Sequence, residues 1–286
     1  MTLQTTSEPR SPVYFDRMID AFHAGTTGRH AHLGHWNLRD DGTADDYGTE
    51  DPNAFARAQS RLNSEVIRMA SVAPGTRILD VACGFGGLIQ TLDELLTNAD
   101  LTGINIDIRQ LEICQRLPSV NDNALRWQEA DACDLPFADA TFDTLFCIEA
   151  MFHFASRDQF LAETRRVLKP GGVLVLTDVV LLQDDRMPSF CFDAILNDGY
   201  GPWPDPWCES GDATTLLKSS GNWTDIARID ATQNTLPSYG YIAPQHVRDH
   251  HAPNDVAARS ALLLQWLHTN QLLRYEYVSA TVGAKS

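Results

Sequence analysis

The sequence predicts an α/β fold in which a mostly parallel sheet is covered by helices on both faces. Two observations carry the prediction. Five short, nearly continuous apolar runs alternate with helical patterns between residues 77 and 180. Buried parallel strands read as such runs because neither face meets water. The runs also end in polar residues: Asp80 and Gly84, Asn105 and Asp107, Asp131, Glu149, and Asp178. Ligands of open parallel sheets bind outside the carboxyl ends of the strands, so these ends form a candidate site.

The first strand covers 77–82 and breaks at Gly84, Gly86 and Gly87 into a helical pattern from Leu88. Glycines let the backbone turn tightly and let a ligand lie against it. Dinucleotide and phosphate sites use the same device, so the neighbours must decide the ligand. Asp80 repels a pyrophosphate and suits a cationic ligand that carries an amine. No Gly-Lys-Ser/Thr follows, which argues against a nucleoside triphosphate loop.

The second strand covers 101–106, with a helix over 107–117; the third covers 124–130. The fourth covers 142–148 and precedes a helix near 157–168. Lys169-Pro-Gly-Gly172 stops that helix and turns into a fifth strand, 173–180. Residues 181–245 then interrupt the alternation. Tyr200-Gly-Pro-Trp-Pro-Asp-Pro-Trp207 combines prolines that forbid regular helix with aromatics that follow no period. Such composition suggests a lid over a pocket. Residues 223–230 and 272–282 supply the last strands, and 256–268 reads as a helix before the final one.

A chain of 286 residues can bury one large core and a lid. The net charge of −16, with scattered acids, repels nucleic acid and anionic membranes and tolerates neutral or cationic small molecules. Cys83, Cys114, Cys133, Cys147, Cys191 and Cys208 show no paired spacing. They read as small apolar residues in a reducing cytoplasm. No apolar run reaches membrane-spanning length, and residues 1–12 lack a signal peptide's apolar core. The expected partner is a small-molecule acceptor, with no nucleic acid and no membrane; a homodimer is compatible with the pattern.

Several segments together resemble class I S-adenosylmethionine (SAM) methyltransferases. They are Leu79-Asp-Val-Ala-Cys-Gly-Phe-Gly-Gly87, Leu101-Thr-Gly-Ile-Asn105, Glu129-Ala-Asp-Ala132, Asp134-Leu-Pro-Phe137 with Phe142-Asp143, and Arg166-Val-Leu-Lys-Pro-Gly-Gly172. Their order and spacing follow the family across roughly 60–182. Gly-Ile-Asn-Ile-Asp107 with Gln110, and His32-Leu-Gly-His-Trp36, look most like bacterial natural-product and sugar-type O-methyltransferases. The resemblance implies a Rossmann-like sheet whose last strand is antiparallel, with an inserted lid. It divides the chain into a disordered tail (1–12), a helical cap over the cofactor (13–60) and a SAM-binding core (61–182). A lid with the sixth strand (183–245) and a closing helix and strand (246–286) follow.

The resemblance also implies roles at matched positions. Gly84 and Gly86, with Ala82 and Cys83, pass under the methionine part of SAM, and Asp80 orders its ammonium end. Asn105 stands where the family usually has an acid for the ribose, with Ile106 and Gln110 completing the contact. Asp131 accepts from the adenine amino group and Ala132 offers a backbone N–H; Tyr14 closes over the cofactor, and Glu149 faces the sulfonium.

A hydroxyl acceptor must also lose a proton, and histidine suits that task. His153 follows strand four at the top of the site, and Asp178 matches the acid that pairs with such a base. The catalytic set is therefore His153, Asp178 and Glu149. His32, His35, Trp36, Phe152, Phe190, Tyr200, Trp203 and Trp207 are the expected acceptor contacts. Asp40, Asp41, Asp45 and Asp46 read as a solvated loop, and His246, His250 and His251 lack metal-ligand spacing, so no metal is expected. The alternatives are C-methylation of an isoprenoid diphosphate, a SAM-dependent cyclisation on the same fold, and a non-catalytic SAM-binding protein.

Overall fold

The computed structural model describes residues 13–45, 51–182, 196–197, 199–242 and 256–284. Its strands are β1 (Arg77–Val81), β2 (Asp100–Asn105), β3 (Ala124–Glu129), β4 (Phe142–Cys147), β5 (Leu168–Leu181), β6 (Trp223–Asp230) and β7 (Leu273–Val282). They pair in the order β3-β2-β1-β4-β5-β7-β6. The first five run parallel, and β7 lies antiparallel between β5 and β6. Chain order reverses between β1 and β4. At such a switch point the two flanking loops diverge and leave a crevice beyond the strand ends.

The helices are α1 (Val13–His23), α2 (Ala54–Ala70), α3 (Gly87–Leu95), α4 (Ile108–Cys114), α5 (Arg157–Val167), α6 (Ala213–Ser219), α7 (Thr232–Thr235) and α8 (Val256–Thr269). Alternation along each strand sorts them into two layers. Ile78 packs with Leu62 and Val66 of α2, Leu88 and Leu92 of α3, and Leu264 and Leu267 of α8. Leu79 and Val81 face the other way, toward Phe160, Leu161 and Val167 of α5 and Leu216 and Leu217 of α6.

Three boundaries differ from the sequence expectation. Pro170-Gly171-Gly172 does stop α5, but the turn is absorbed into β5, which starts at Leu168. The β4–β5 register shifts between Phe142 and Thr144 to accommodate it, with Gly171 at φ +80°. Helix α4 ends at Cys114 rather than Leu117, where the bonding tightens to Arg116 N–H on Ile113 (3.3 Å) and Leu117 N–H on Cys114 (2.9 Å). Helix α2 runs straight through residue 60, where the cap was expected to end. Its apolar stripe packs on the sheet, and the irregular segment before it, residues 26–45, forms a strap.

That strap is threaded between α2 and the α7 region. The backbone N–H of His35 donates to Ala58 (2.8 Å) and that of Trp36 to Asn234 (2.8 Å). A side chain at Gly34 would place its Cβ 2.5 Å from that of Ala58, so the close approach requires glycine. The Trp36 ring is fully buried, stacks on Tyr241 at 5.3 Å and donates to Ser238 Oγ at 3.0 Å. Trp36→Ala is expected to cost about 3–5 kcal/mol of stability, as a buried ring lost without refilling. Urea unfolding measures this, and a loss below about 1 kcal/mol refutes the anchoring role.

Candidate active site at the strand ends

The loop after β1 is built on left-handed backbone. Ala82 (φ +59°), Gly84 (φ +53°) and Gly86 (φ +79°) all adopt it. For Ala82 the conformation costs energy that the surrounding fold must offset. The two glycines differ in purpose. At Gly84 an added Cβ would meet only Ala31, at 4.0 Å, so open space lies over this backbone. At Gly86 it would strike Leu117 and Trp127 at 2.9 Å and Cys114 at 3.2 Å. Gly86 is therefore required by the packing beneath the loop, whereas Gly84 leaves the space above it open. Asp80 is buried and has no hydrogen-bond partner among the described residues. Burial pushes its carboxyl up to about 8. A buried, unpaired carboxyl beside open backbone suits an incoming cation.

Beyond β2, Asn105 donates to Gln110 Oε1 (3.2 Å) and accepts from the Asp107 backbone (3.2 Å). Gln110 Nε2 is buried without a partner, leaving one amide donor unused. The expected acid is absent at Asn105, and Asp107 does not replace it. The Asp107 carboxylate is taken by Arg109 (2.6 Å), which also holds Asp16 of α1 (2.6 Å). Ile106 is 50% exposed, an apolar face available to a flat ring. Asp131 is exposed and accepts from Cys133 N (2.8 Å) beside the buried Ala132.

Across the crevice, Glu149 also has left-handed backbone (φ +49°). Its Oε1 accepts from the Leu33 backbone of the strap (2.7 Å) and from the Tyr275 hydroxyl of β7 (2.6 Å). Burial raises its carboxyl to about 7, against the pull of these donors.

His153 ends the 3₁₀ turn Met151–His153. Its Nδ1 lies 2.7 Å from the Pro202 carbonyl. A carbonyl only accepts, so Nδ1 carries the hydrogen and Nε2 of the neutral ring keeps its lone pair. Burial lowers this imidazole to about 4, so it is neutral throughout the ordinary pH range. Phe152 stacks on Tyr200 (5.7 Å) and lies 5.0 Å from Trp203. Tyr200 and Tyr14 flank His153 at 5.4 and 5.8 Å. Tyr14 is also close enough to Asp107 for that carboxylate to raise its hydroxyl pKa, together with burial as the larger cause.

The expected His153–Asp178 pair does not form. Alternation along β5 sends Thr177 toward Tyr275, and Asp178 to the opposite face. There Asp178 forms a fully buried ion pair with Arg157 at the start of α5. Trp36 is corrected as well: it is sealed in the strap anchor and offers no surface to an acceptor. His35 is held at 2.8 Å from the Tyr277 hydroxyl, and His32 donates to the Leu33 carbonyl at 2.7 Å. Burial first, then neighbouring His30, pushes His32 down to about 4. Trp207 packs half-buried against the α2 side of the sheet. Phe190, Cys191, Asp46, His246, His250 and His251 lie outside the described residues.

Asp41 is capped by Thr43 and Asp45 by Arg39, as a solvated loop requires. No cluster of three or more metal-ligating side chains occurs among the described residues. No described helix is long and apolar enough to cross a membrane. Sequence reasoning missed Leu33, Thr177, Pro202, Arg157, Tyr275 and Tyr277. Only the tyrosines left a signal, the alternation Tyr275-Glu276-Tyr277 that puts both rings on one face of β7.

A family model described as a methyltransferase domain matches residues 79–176. The chain is 34% identical over 221 residues to an O-methyltransferase of Pyrenophora dematioidea, covering 73% of each. It is 34% identical over 170 residues to Methyltransferase GfsG of Streptomyces halstedii, and this match spans 59% of the chain and 57% of that protein. Its fold matches that of the mycolic acid cyclopropane synthase CmaA1, solved with S-adenosylhomocysteine. The TM-score is 0.74 at 16% identity, covering 94% of this chain and 95% of that one. The glycine loop, the unpaired Asp80 and the switch-point crevice thus sit in a chain that belongs to the class I SAM-dependent methyltransferases, with SAM as its cofactor.

Proposed function

We propose that the protein is an O-methyltransferase acting on a small natural-product intermediate, with His153 as general base. The observation that carries this reading is the placement of His153: Nδ1 lies 2.7 Å from the Pro202 carbonyl, in a ring flanked by Tyr14, Phe152 and Tyr200. The relative of Pyrenophora dematioidea, named as an O-methyltransferase, supports the reaction class.

The residues fit the cofactor. Asp80 receives the ammonium, the open backbone at Gly84 underlies the methionine part with Ala82 and Cys83, and Ile106 meets the adenine face. Asn105 and the unused Gln110 amide hold the ribose. Asp131 accepts from the adenine amine near the Ala132 N–H. Tyr14 covers the cofactor from α1, and Glu149 faces the sulfonium. Bound SAM supplies a methyl group already activated by its positive sulfur. The chain's tasks are then to align a hydroxyl with that methyl and to accept its proton at His153 Nε2. Phe152, Tyr200 and Trp203 form the wall that orients the acceptor.

CmaA1 is named a cyclopropane synthase, so cyclisation or C-methylation remains the second reading.

His153→Ala should lower kcat by ~10²–10⁴ with SAM affinity nearly intact, the usual loss with a general base. Near-normal turnover would mean that alignment alone carries the transfer. The acid limb of kcat should appear near 4, not near the ordinary histidine value, because burial holds the ring neutral.

Asp80→Asn should weaken SAM by about 1.5–3 kcal/mol, the worth of a hydrogen bond to a charged group. Asn105→Ala should cost about 1–2 kcal/mol, since an amide makes a neutral contact. Calorimetry on folded variants decides both, and unchanged affinities would remove these residues from the site.

Glu149 gives a second pH signature. Its carboxyl is neutral below about 7 and ionised above, and only the ionised form attracts a sulfonium. SAM binding should therefore tighten as pH rises through about 7, with a further step near 8 from Asp80, and Glu149→Gln should remove the lower step only. A step near 7 that survives in Glu149→Gln assigns that titration elsewhere.

A further inference from the structure

We infer that the lid segment Gly199–Trp203 is a positioning element that sets the tautomer of His153 through the main-chain carbonyl of Pro202, with Gly201 as the residue that permits it. The inference rests on the reading of His153 as base and adds what prepares that base.

An isolated neutral histidine favours hydrogen on Nε2, which would put a donor where a hydroxyl acceptor must give up its proton. The ring here is reversed by one contact, Nδ1–H to the Pro202 carbonyl at 2.7 Å. The side chain that sequence reasoning assigned to this task, Asp178, is occupied by Arg157 on the other face of the sheet. No side-chain carboxylate pairs with His153 among the described residues, so the backbone of the lid takes the orienting role.

The carbonyl can reach the ring only because of its neighbours. Gly201 has φ +108°, a region open to glycine and costly for other residues. A Cβ there would lie 2.4 Å from Tyr14 Cε1. The segment is also tethered, with Gly201 N–H on Leu196 O (3.1 Å) and Trp203 N–H on Asn197 Oδ1 (2.9 Å). Pro202 lies between the two lid rings that meet Phe152, Tyr200 and Trp203. The same short segment therefore supplies two rings of the acceptor wall and the carbonyl that orients the base.

The test is ¹⁵N-histidine spectroscopy of the full chain with S-adenosylhomocysteine, with His153 assigned by the signals missing in His153→Asn. The long-range proton–nitrogen pattern should show a single Nδ1–H tautomer in the unaltered protein. An Nε2–H ring, or a mixture, overturns the inference, and this measurement needs no lid variant to fold. In Gly201→Ala and in the milder Asn197→Ala, His153 should shift toward Nε2–H. In both, kcat should fall ~10- to 10²-fold, as for a small misplacement of a catalytic group, with SAM affinity unchanged in Asn197→Ala, where nothing is pushed against Tyr14. A pure Nδ1–H ring in variants that have lost activity also overturns it, because the lid would then act by some other route. If His153→Ala retains turnover, the base assignment fails by itself, while the tautomer result still decides whether the lid orients the ring.

Discussion

The Glu149 carboxylate ties together parts of the chain that lie far apart in sequence. One oxygen accepts from the strap at Leu33 and from β7 at Tyr275. The residue's own N–H donates to Thr177 of β5 at 2.8 Å. Strap, β4, β5 and β7 thus meet at a single residue on the crevice. Its left-handed backbone is the strain that aims the carboxylate back across the strand ends instead of out to solvent. Without that turn, the strap's main chain at Leu33 would lose its bond to the sheet's open end, leaving the contacts of Gln59 with the His32 carbonyl and of Gly34 N–H with Ser238. The clamp formed by Trp36 would then secure the strap at a distance from the site. Fold and site share this constraint, since a carboxylate that closes the cap is necessarily presented to whatever the cap covers.

Much of the sheet was legible in the sequence because parallel strands are buried on both faces and read as apolar runs. The expected ranges for β1 to β4, β6 and β7 agree with the structure to within a residue or so. The antiparallel last strand followed from family likeness and is observed. The main errors have local causes. The Pro-Gly-Gly stop was correctly read, yet a bulge let the strand begin before it. The role of Asp178 failed on a rule that alternation itself supplies: adjacent residues on β5 face opposite ways, so Thr177 and Asp178 cannot both serve the same crevice. Strand position alone does not say which of the two points inward. Arg157, the true partner, sits at a helix start, where nothing in the pattern distinguishes a buried arginine from an exposed one.

The least legible part is the one made of main chain. Leu33 N–H and the Pro202 carbonyl both act as hydrogen-bonding groups of the site, and neither depends on the chemistry of its side chain. Residue identity can show only where such backbone is allowed to go. Gly34 against Ala58 and Gly201 against Tyr14 are such permissions, readable as glycines but not as partners.

Burial acts in opposite directions on the ionisable groups of the crevice. It raises Asp80 and Glu149 toward their neutral forms and lowers His153 toward its neutral form, so a site rich in titratable groups carries little net charge when empty. Such a site favours a cation that can pair with the carboxyls, because pairing offsets the desolvation that burial has already imposed. It does so while keeping the imidazole unprotonated, since the same cation opposes a second positive charge nearby. Methyl transfer to a hydroxyl removes the charge from sulfur and leaves a proton to be placed. In the proposed transfer to a hydroxyl the His153 imidazole would take up that proton, working against the burial that lowers its proton affinity.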